Sequence, residues 1–170
     1  MYYLRFVYIN LLLFLLFETL LAQWKYRGTG ADSVQGHKAI VYQEDMMIHG
    51  TVEPFWRYNL HNNTWASVTI SGTAPPLPCF QHSLNYFNNT MIRFGGEVGD
   101  NSNVRTNDLW VFSFMTEKWK QYDNLDPEPL ARNYHSSIVY ESDMIVFGGY
   151  NGANMDDLWV LNLSTFKWVD

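Results

Sequence analysis

Cysteine is nearly absent: Cys79 stands alone, so no disulfide can form within the chain. Small exported domains usually lean on such bonds, so stability here has to come from packing. Charge is scarce as well. Asp, Glu, Lys and Arg make up 16% of the residues, the net charge is −6, and no basic cluster occurs. That balance argues against nucleic acid or an anionic membrane surface as a partner. Glycine pairs are present, but none is followed by the Lys-Ser/Thr that a phosphate loop requires, so they do not read as a nucleotide site. No segment after the N-terminal one has the length and period of an ordinary helix.

Aromatic residues are abundant, at 17%. Large flat side chains suit sheets that pack face to face. The clearest stretch runs from Arg132 to Trp168. It carries His135, the apolar runs Ser136 to Tyr140 and Met144 to Phe147, the pair Gly148-Gly149, then Asp157-Leu158-Trp159 and finally Trp168. Each run is short, rich in β-branched and aromatic residues and bounded by turn residues, which predicts strands. Three or four such strands make one antiparallel meander, too small to bury a core alone.

The pattern occurs three times, over residues 37–65, 82–119 and 135–168. Histidine to first glycine is thirteen residues each time: His37 to Gly50, His82 to Gly95, His135 to Gly148. First to second tryptophan is nine each time: Trp56 to Trp65, Trp110 to Trp119, Trp159 to Trp168. The second glycine is Gly96 or Gly149 in two copies and Thr51 in the first. A repeat of about fifty residues with these fixed spacings implies a radial or stacked architecture.

Phe147-Gly148-Gly149, Asp157-Leu158-Trp159 and Trp168 resemble kelch repeats, the blades of one β-propeller family. The resemblance covers residues 24–170 and implies an all-β fold of three four-stranded antiparallel blades. Trp24 looks like a closing-strand tryptophan, so one extra N-terminal strand is expected and the ring is incomplete. Blades supplied by a longer chain, or self-association, would cover the faces left open. The recurring tryptophans, Trp159 above all, are expected to wedge between blades. The paired glycines are expected to allow close backbone approach and turning at a strand end.

Met1 to Ala22 differs in kind. Arg5 supplies a positive charge, Phe6 to Phe17 is an apolar run broken by one Asn, and Ala22 precedes Gln23. This is the layout of a signal peptide, or a signal anchor, over residues 1–22, with the partial propeller occupying 23–170. Secretory entry and an extracellular or cell-surface location are therefore expected, without membrane insertion of the mature domain. The acceptors Asn62, Asn88 and Asn162 then read as glycosylation sites, with Asn162 bordering a strand.

No catalytic constellation is visible. His37, His82 and His135 occupy one repeat position, which predicts a repeated structural task rather than converging metal ligands, and no cofactor is expected. His49, His61 and Cys79 read as structural. The leading function is a kelch interaction module that binds a protein or glycan. The alternative is a fragment of a carbohydrate-active enzyme of the copper sugar-oxidase or epimerase type, which the resemblance admits.

Length variation points to a face. In a meander a-b-c-d, the a–b and c–d turns share one end and the b–c and d–a connections the other. First glycine to first tryptophan is six, fifteen and eleven residues (50 to 56, 95 to 110, 148 to 159). Second tryptophan to next histidine is thirteen, seventeen and sixteen (24 to 37, 65 to 82, 119 to 135). All variation falls on the b–c/d–a end, as expected of loops released for recognition. Candidate ligand contacts there are Glu97, Asp100, Asn101, Asn103 and Arg105, with Tyr150, Asn151 and Asn154.

Overall fold

The structure, a computed structural model, describes residues 36–50, 55–68, 70, 76–99, 104–123 and 125–169. Trp24, Thr51, Asp100, Asn101 and Asn103, and the N-terminal segment, lie outside the described residues. Three antiparallel sheets follow one another, with no helix among the described residues. The first blade is β1 (Lys38–Tyr42), β2 (Asp45–His49), β3 (Trp56–Asn59) and β4 (Thr64–Ser67). The middle blade contains β5 (Cys79–Phe80), β6 (Ser83–Phe87), β7 (Thr90–Val98), β8 (Val104–Ser113) and β9 (Lys118–Tyr122). The last is β10 (Ser136–Tyr140), β11 (Asp143–Tyr150), β12 (Asn154–Asn162) and β13 (Lys167–Val169). These are the three blades of an open propeller.

The paired glycines do not end their strands. They form bulges, with register shifts between Phe94 and Gly96 and between Phe147 and Gly149, and β7 and β11 run on beyond them. All four glycines have positive φ, from 62° to 106°, a region a Cβ disfavours. Beyond the bulge the strand meets a second partner: β5 pairs with Glu97 and Val98, and an isolated bridge joins Asn133 to Tyr150 in the last blade. Close approach is real. A Cβ on Gly149 would lie 2.7 Å from the Asn133 carbonyl, and one on Gly96 would lie 2.8 Å from His82 Cβ.

The opposite end explains the constant spacings. Two-residue a–b turns place Tyr42 opposite Asp45, Phe87 opposite Thr90 and Tyr140 opposite Asp143. Each c–d turn then donates a backbone bond into its own a–b turn: Leu60 N to Glu44 O, Phe114 N to Asn89 O and Leu163 N to Ser142 O, at 2.7–3.1 Å. An insertion in either turn would break that brace.

The core lies between blades. Met47 and Phe55 pack on Met91, Phe112 and Trp119 at the first contact. Ile92, Phe94, Leu109 and Val111 pack on Met144, Val146, Leu161 and Trp168 at the second. Of the second tryptophans, Trp119 and Trp168 are buried and Trp65 is half-buried, as are the first tryptophans Trp56, Trp110 and Trp159. Trp159 therefore packs at the margin of the core rather than wedging between blades, and Trp168 fills that place.

Candidate ligand-binding face

The b–c/d–a end is assembled from side chains of two blades. Gln81, just before the middle histidine, and Tyr134, just before the last one, both have left-handed backbone, at φ 57° and 58°. Gly36 holds the same conformation before His37, at φ 58°. This geometry turns each connection across the neighbouring blade, so that Gln81 N donates to Gly36 O and Tyr134 N to Gln81 O, at 3.3 and 3.2 Å. Side chains reinforce the stitch. Gln81 Nε2 donates to the Tyr134 hydroxyl at 2.6 Å, and Asn133 Nδ2 donates to Gln81 Oε1 and Glu97 Oε2 at 2.9 and 2.8 Å. Tyr134 stays 67% exposed even so.

Arg105, a β8 residue rather than a loop residue, lies with its guanidinium 4.8 Å from the centre of the Tyr150 ring, a cation–π contact linking the start of β8 to the end of β11. Of the expected contacts, the structure thus brings Glu97, Arg105 and Tyr150 to one end. Glu97 is not a loop residue: it lies in β7 and is buried, its carboxylate held by Asn133. Asn151 and Asn154 are exposed beside them, with Asn151 N bonded to Ala153 O and Asn154 paired with Tyr150. Gln81, Asn133 and Tyr134 were not among the expected residues. The signal for Gln81 and Tyr134 was Gly36, a glycine at the position they share, whereas Asn133, one residue earlier, had none.

The family described as the KLHDC2/KLHL20/DRC7 Kelch-repeats domain matches residues 7–170. The chain belongs to the kelch-repeat family. The Leucine-zipper-like transcriptional regulator 1 homolog of Drosophila melanogaster is 30% identical over 139 residues, which is 75% of this chain and 14% of that protein. Kelch domain-containing protein 3 of Rattus norvegicus is 29% identical over 158 residues, 83% of this chain and 41% of that protein. The Host cell factor homolog hcf-1 of Caenorhabditis elegans is 33% identical over 90 residues, covering 45% of this chain and 12% of that protein. This kelch chain spans less than half the length of these relatives.

The kelch histidines separate into two kinds. His82 and His135 are buried between blades, and His37 is exposed. His82 meets His49 of the first blade edge-on at 5.1 Å, and His135 meets Phe94 of the middle blade at 5.3 Å. The His135 Nε2 and the Ser83 hydroxyl lie 2.9 Å apart. Burial, followed by the Arg132 charge, holds His135 down to about 4. Burial, followed by the Arg93 charge, holds His49 down to about 3, and burial takes His82 well below its ordinary value. All three are neutral near pH 7. Among the described residues, no group of three His, Cys, Asp or Glu side chains is placed to hold a metal ion.

Two further anchors fix the d–a connections. Arg132, fully buried, grips Asp157 with two bonds of 2.7 Å, and donates to Gly148 O and Leu130 O at 3.0 Å each. The guanidinium holds the Asp157 carboxyl below its ordinary value, and Trp159 Nε1 donates to the same carboxylate at 2.8 Å. In the middle blade Cys79 takes the Arg132 position. Arg93 from β7 supplies the guanidinium instead, donating to Leu77 O at 2.8 Å, while Cys79 Sγ lies 3.4 Å from Gly95 O. Burial pushes the Cys79 thiol up, consistent with a structural thiol.

The acceptor asparagines lie at the other end. Asn62 and Asn88 are exposed turn residues. Asn162 is committed: its Oδ1 accepts from Ser164 N and Thr165 N, and its Nδ2 donates to Asp143 at 3.0 Å. Asn59 braces the first c–d turn in the same way, through His61 N, Asn62 N and Asp45.

Proposed function

We propose that this kelch chain is a protein-binding module whose ligand docks on the b–c/d–a end. The observation that carries this reading is convergence. Gln81, Glu97, Arg105, Asn133, Tyr134 and Tyr150 meet where every length change in the repeat falls, with Gln81 and Tyr134 held in left-handed conformation. An exposed tyrosine beside buried polar groups offers a large, low-entropy contact with fixed hydrogen-bonding neighbours. A protein surface or a glycan would meet the same groups. The alternative of a carbohydrate-active enzyme draws no support from the fold or from the relatives.

The N-terminal segment supports export of the domain, with Asn62 and Asn88 carrying glycans away from the binding end. Asn162 is the poorest acceptor, because its amide already braces a turn. A photo-crosslinking side chain at position 134 should capture a partner that the same group at position 88 does not. Capture at 88 and none at 134 would move the site to the other end. Export is tested separately: an exported chain begins at about Gln23 and loses mass on deglycosylation, and an intact, unglycosylated chain would sink that part alone.

A further inference from the structure

The two blade contacts differ on the flank nearest the a–b and c–d turns. At the second contact that flank is filled. Ile92 and Val111 of the middle blade pack with Leu161 and Leu163 of the last, and the Tyr122 ring stacks on Phe166 at 3.8 Å. Repeat positions identify the counterparts at the first contact. Met47 pairs with Arg57 in the first blade as Ile92 pairs with Val111 in the middle one. Val68 follows Trp65 at the interval by which Tyr122 follows Trp119. Glu117 takes the place of Phe166. The two have φ of 55° and 53°, and their N–H groups donate to the equivalent carbonyls of Ser113 and Asn162.

Three differences therefore fall together: Arg57 stands for Val111, Val68 for Tyr122 and Glu117 for Phe166. All three line one cleft of about 220 Å³ between the first two blades. Its floor is the buried pair Met47 and Phe112, and its wall is Tyr42 stacked on Phe114 at 3.9 Å. Its exposed side is polar. There the Arg57 guanidinium lies 3.6 Å from an Asp45 carboxylate oxygen, and Ser67 lines the same space. Consecutive blades bound the cleft on both sides, so a further blade at either end of the chain would not fill it.

We propose that this cleft binds the side chain of a tryptophan or tyrosine from a partner protein. The repeat already seats an aromatic ring in the equivalent place, where Phe166 lies on Tyr122. The cleft is too small for a drug-sized ligand, which needs about 300 Å³ or more, and it suits one side chain. A ring over Met47 and Phe112 gains sulfur–aromatic and ring-edge contacts. Arg57 can lie across its face, a geometry that a guanidinium favours. Tryptophan and tyrosine fit better than phenylalanine, because their N–H or O–H finds an acceptor in Asp45 or Ser67. Gln43 and Glu117, both turn residues, flank the cleft, so it is separate from the Tyr134 end and stands or falls without it.

The test adds N-acetyltryptophanamide to the full chain labelled at its methionine methyl groups. The Met47 signal, assigned by its loss in Met47→Leu, should move upfield and saturate with a dissociation constant on the order of 1 mM. N-acetylleucinamide should leave it in place. A capped Gly-Trp-Gly peptide should bind at least as well as the single amide. Glu117→Phe copies a residue that the second contact accepts on the same backbone, so it should fold and weaken binding roughly 10-fold or more. Arg57→Val should weaken it roughly 3-fold, and Tyr134→Ala should change nothing. A Met47 signal that does not saturate, an equal response to the leucine probe, or undiminished binding by Glu117→Phe would overturn the proposal. A peptide bound roughly 10-fold more weakly than the amide would reserve the cleft for a free aromatic molecule and overturn it as well. So would saturation seen only with Trp24→Ala and Tyr26→Ala together, which would make the chain's own N-terminal segment the occupant.

Discussion

The middle and last blades share one backbone and lock it with different side chains. In the last blade the guanidinium comes from Arg132, ahead of the first strand, and finds a carboxylate on the third. In the middle blade it comes from Arg93 on the second strand, and the space vacated ahead of β6 is filled by Cys79. The same main-chain carbonyl, Leu130 in one and Leu77 in the other, is satisfied both times. What the repeat keeps is a guanidinium on the carbonyl two residues before the Arg132 or Cys79 position. Which residue supplies it is free to change.

The sharpest way to test that difference is to cut the anchors and compare the losses. Trp168, buried against Phe94 and the rest of the second inter-blade core, should cost about 3–5 kcal/mol as Trp168→Ala. Trp159→Ala should cost roughly half as much, because Trp159 is half-buried. Asp157→Ala leaves a fully buried guanidinium without its carboxylate, with a loss of about 3 kcal/mol. Asp108→Ala, at the equivalent place in the middle blade, removes a 3.3 Å contact with Gln121 and should cost under about 1 kcal/mol. Urea midpoints at constant slope would show the ordering. Equal losses at Asp157 and Asp108 would mean that the two blades are locked alike after all.

Acid separates the two blade contacts next. The first contact holds His49 and His82 ring to ring, and the second holds His135 against Phe94. Each buried histidine has a folded-state value depressed below its unfolded value of about 6.5. The unfolded chain therefore takes up protons first. Stability is full above about pH 6.5 and falls as pH drops toward the folded values of about 4 for His135 and about 3 for His49. At pH 5 each histidine should subtract about 2 kcal/mol. His49→Phe, which copies Phe94 into the first contact, should remove one such loss and flatten the stability profile between pH 7 and 5. A profile as steep as that of the wild type would show that His49 is not neutral in the fold.

Much of this architecture was legible in the sequence because it rests on backbone requirements. The thirteen-residue interval from His135 to Gly148 survives because both ends of the a–b hairpin are fixed, by the turn-to-turn brace and by the glycine bulge. The nine-residue interval from Trp159 to Trp168 survives for the same reason. Side-chain placement was less legible. Equal spacing made His37 look like His82, but burial depends on a preceding blade, which spacing does not report. Glu97 looked like a loop residue because glycine pairs usually stop strands, and here the pair bulges the strand and lets it continue. The swap of Arg132 for Arg93 left no trace at all, since the two lie on different strands and only folding brings them to one job.

The smallest difference separates two glycines that the repeat makes equivalent. Gly95 and Gly148 occupy the same repeat position with φ of 62° and 65°, so alanine at either should cost about 1–2 kcal/mol from backbone alone. Their surroundings differ. A Cβ on Gly95 would lie 2.8 Å from Arg132 O and 2.9 Å from His135 Cε1 of the next blade, whereas a Cβ on Gly148 meets only Met155 O, at 3.1 Å. Gly95→Ala should therefore cost roughly 1 kcal/mol more, since the next blade must shift to admit the methyl group. Urea midpoints of the two variants at constant slope would show the gap. Equal losses would mean that Arg132 and His135 give way to the methyl group at no cost, and that the second blade contact is looser than the Gly95 surroundings imply.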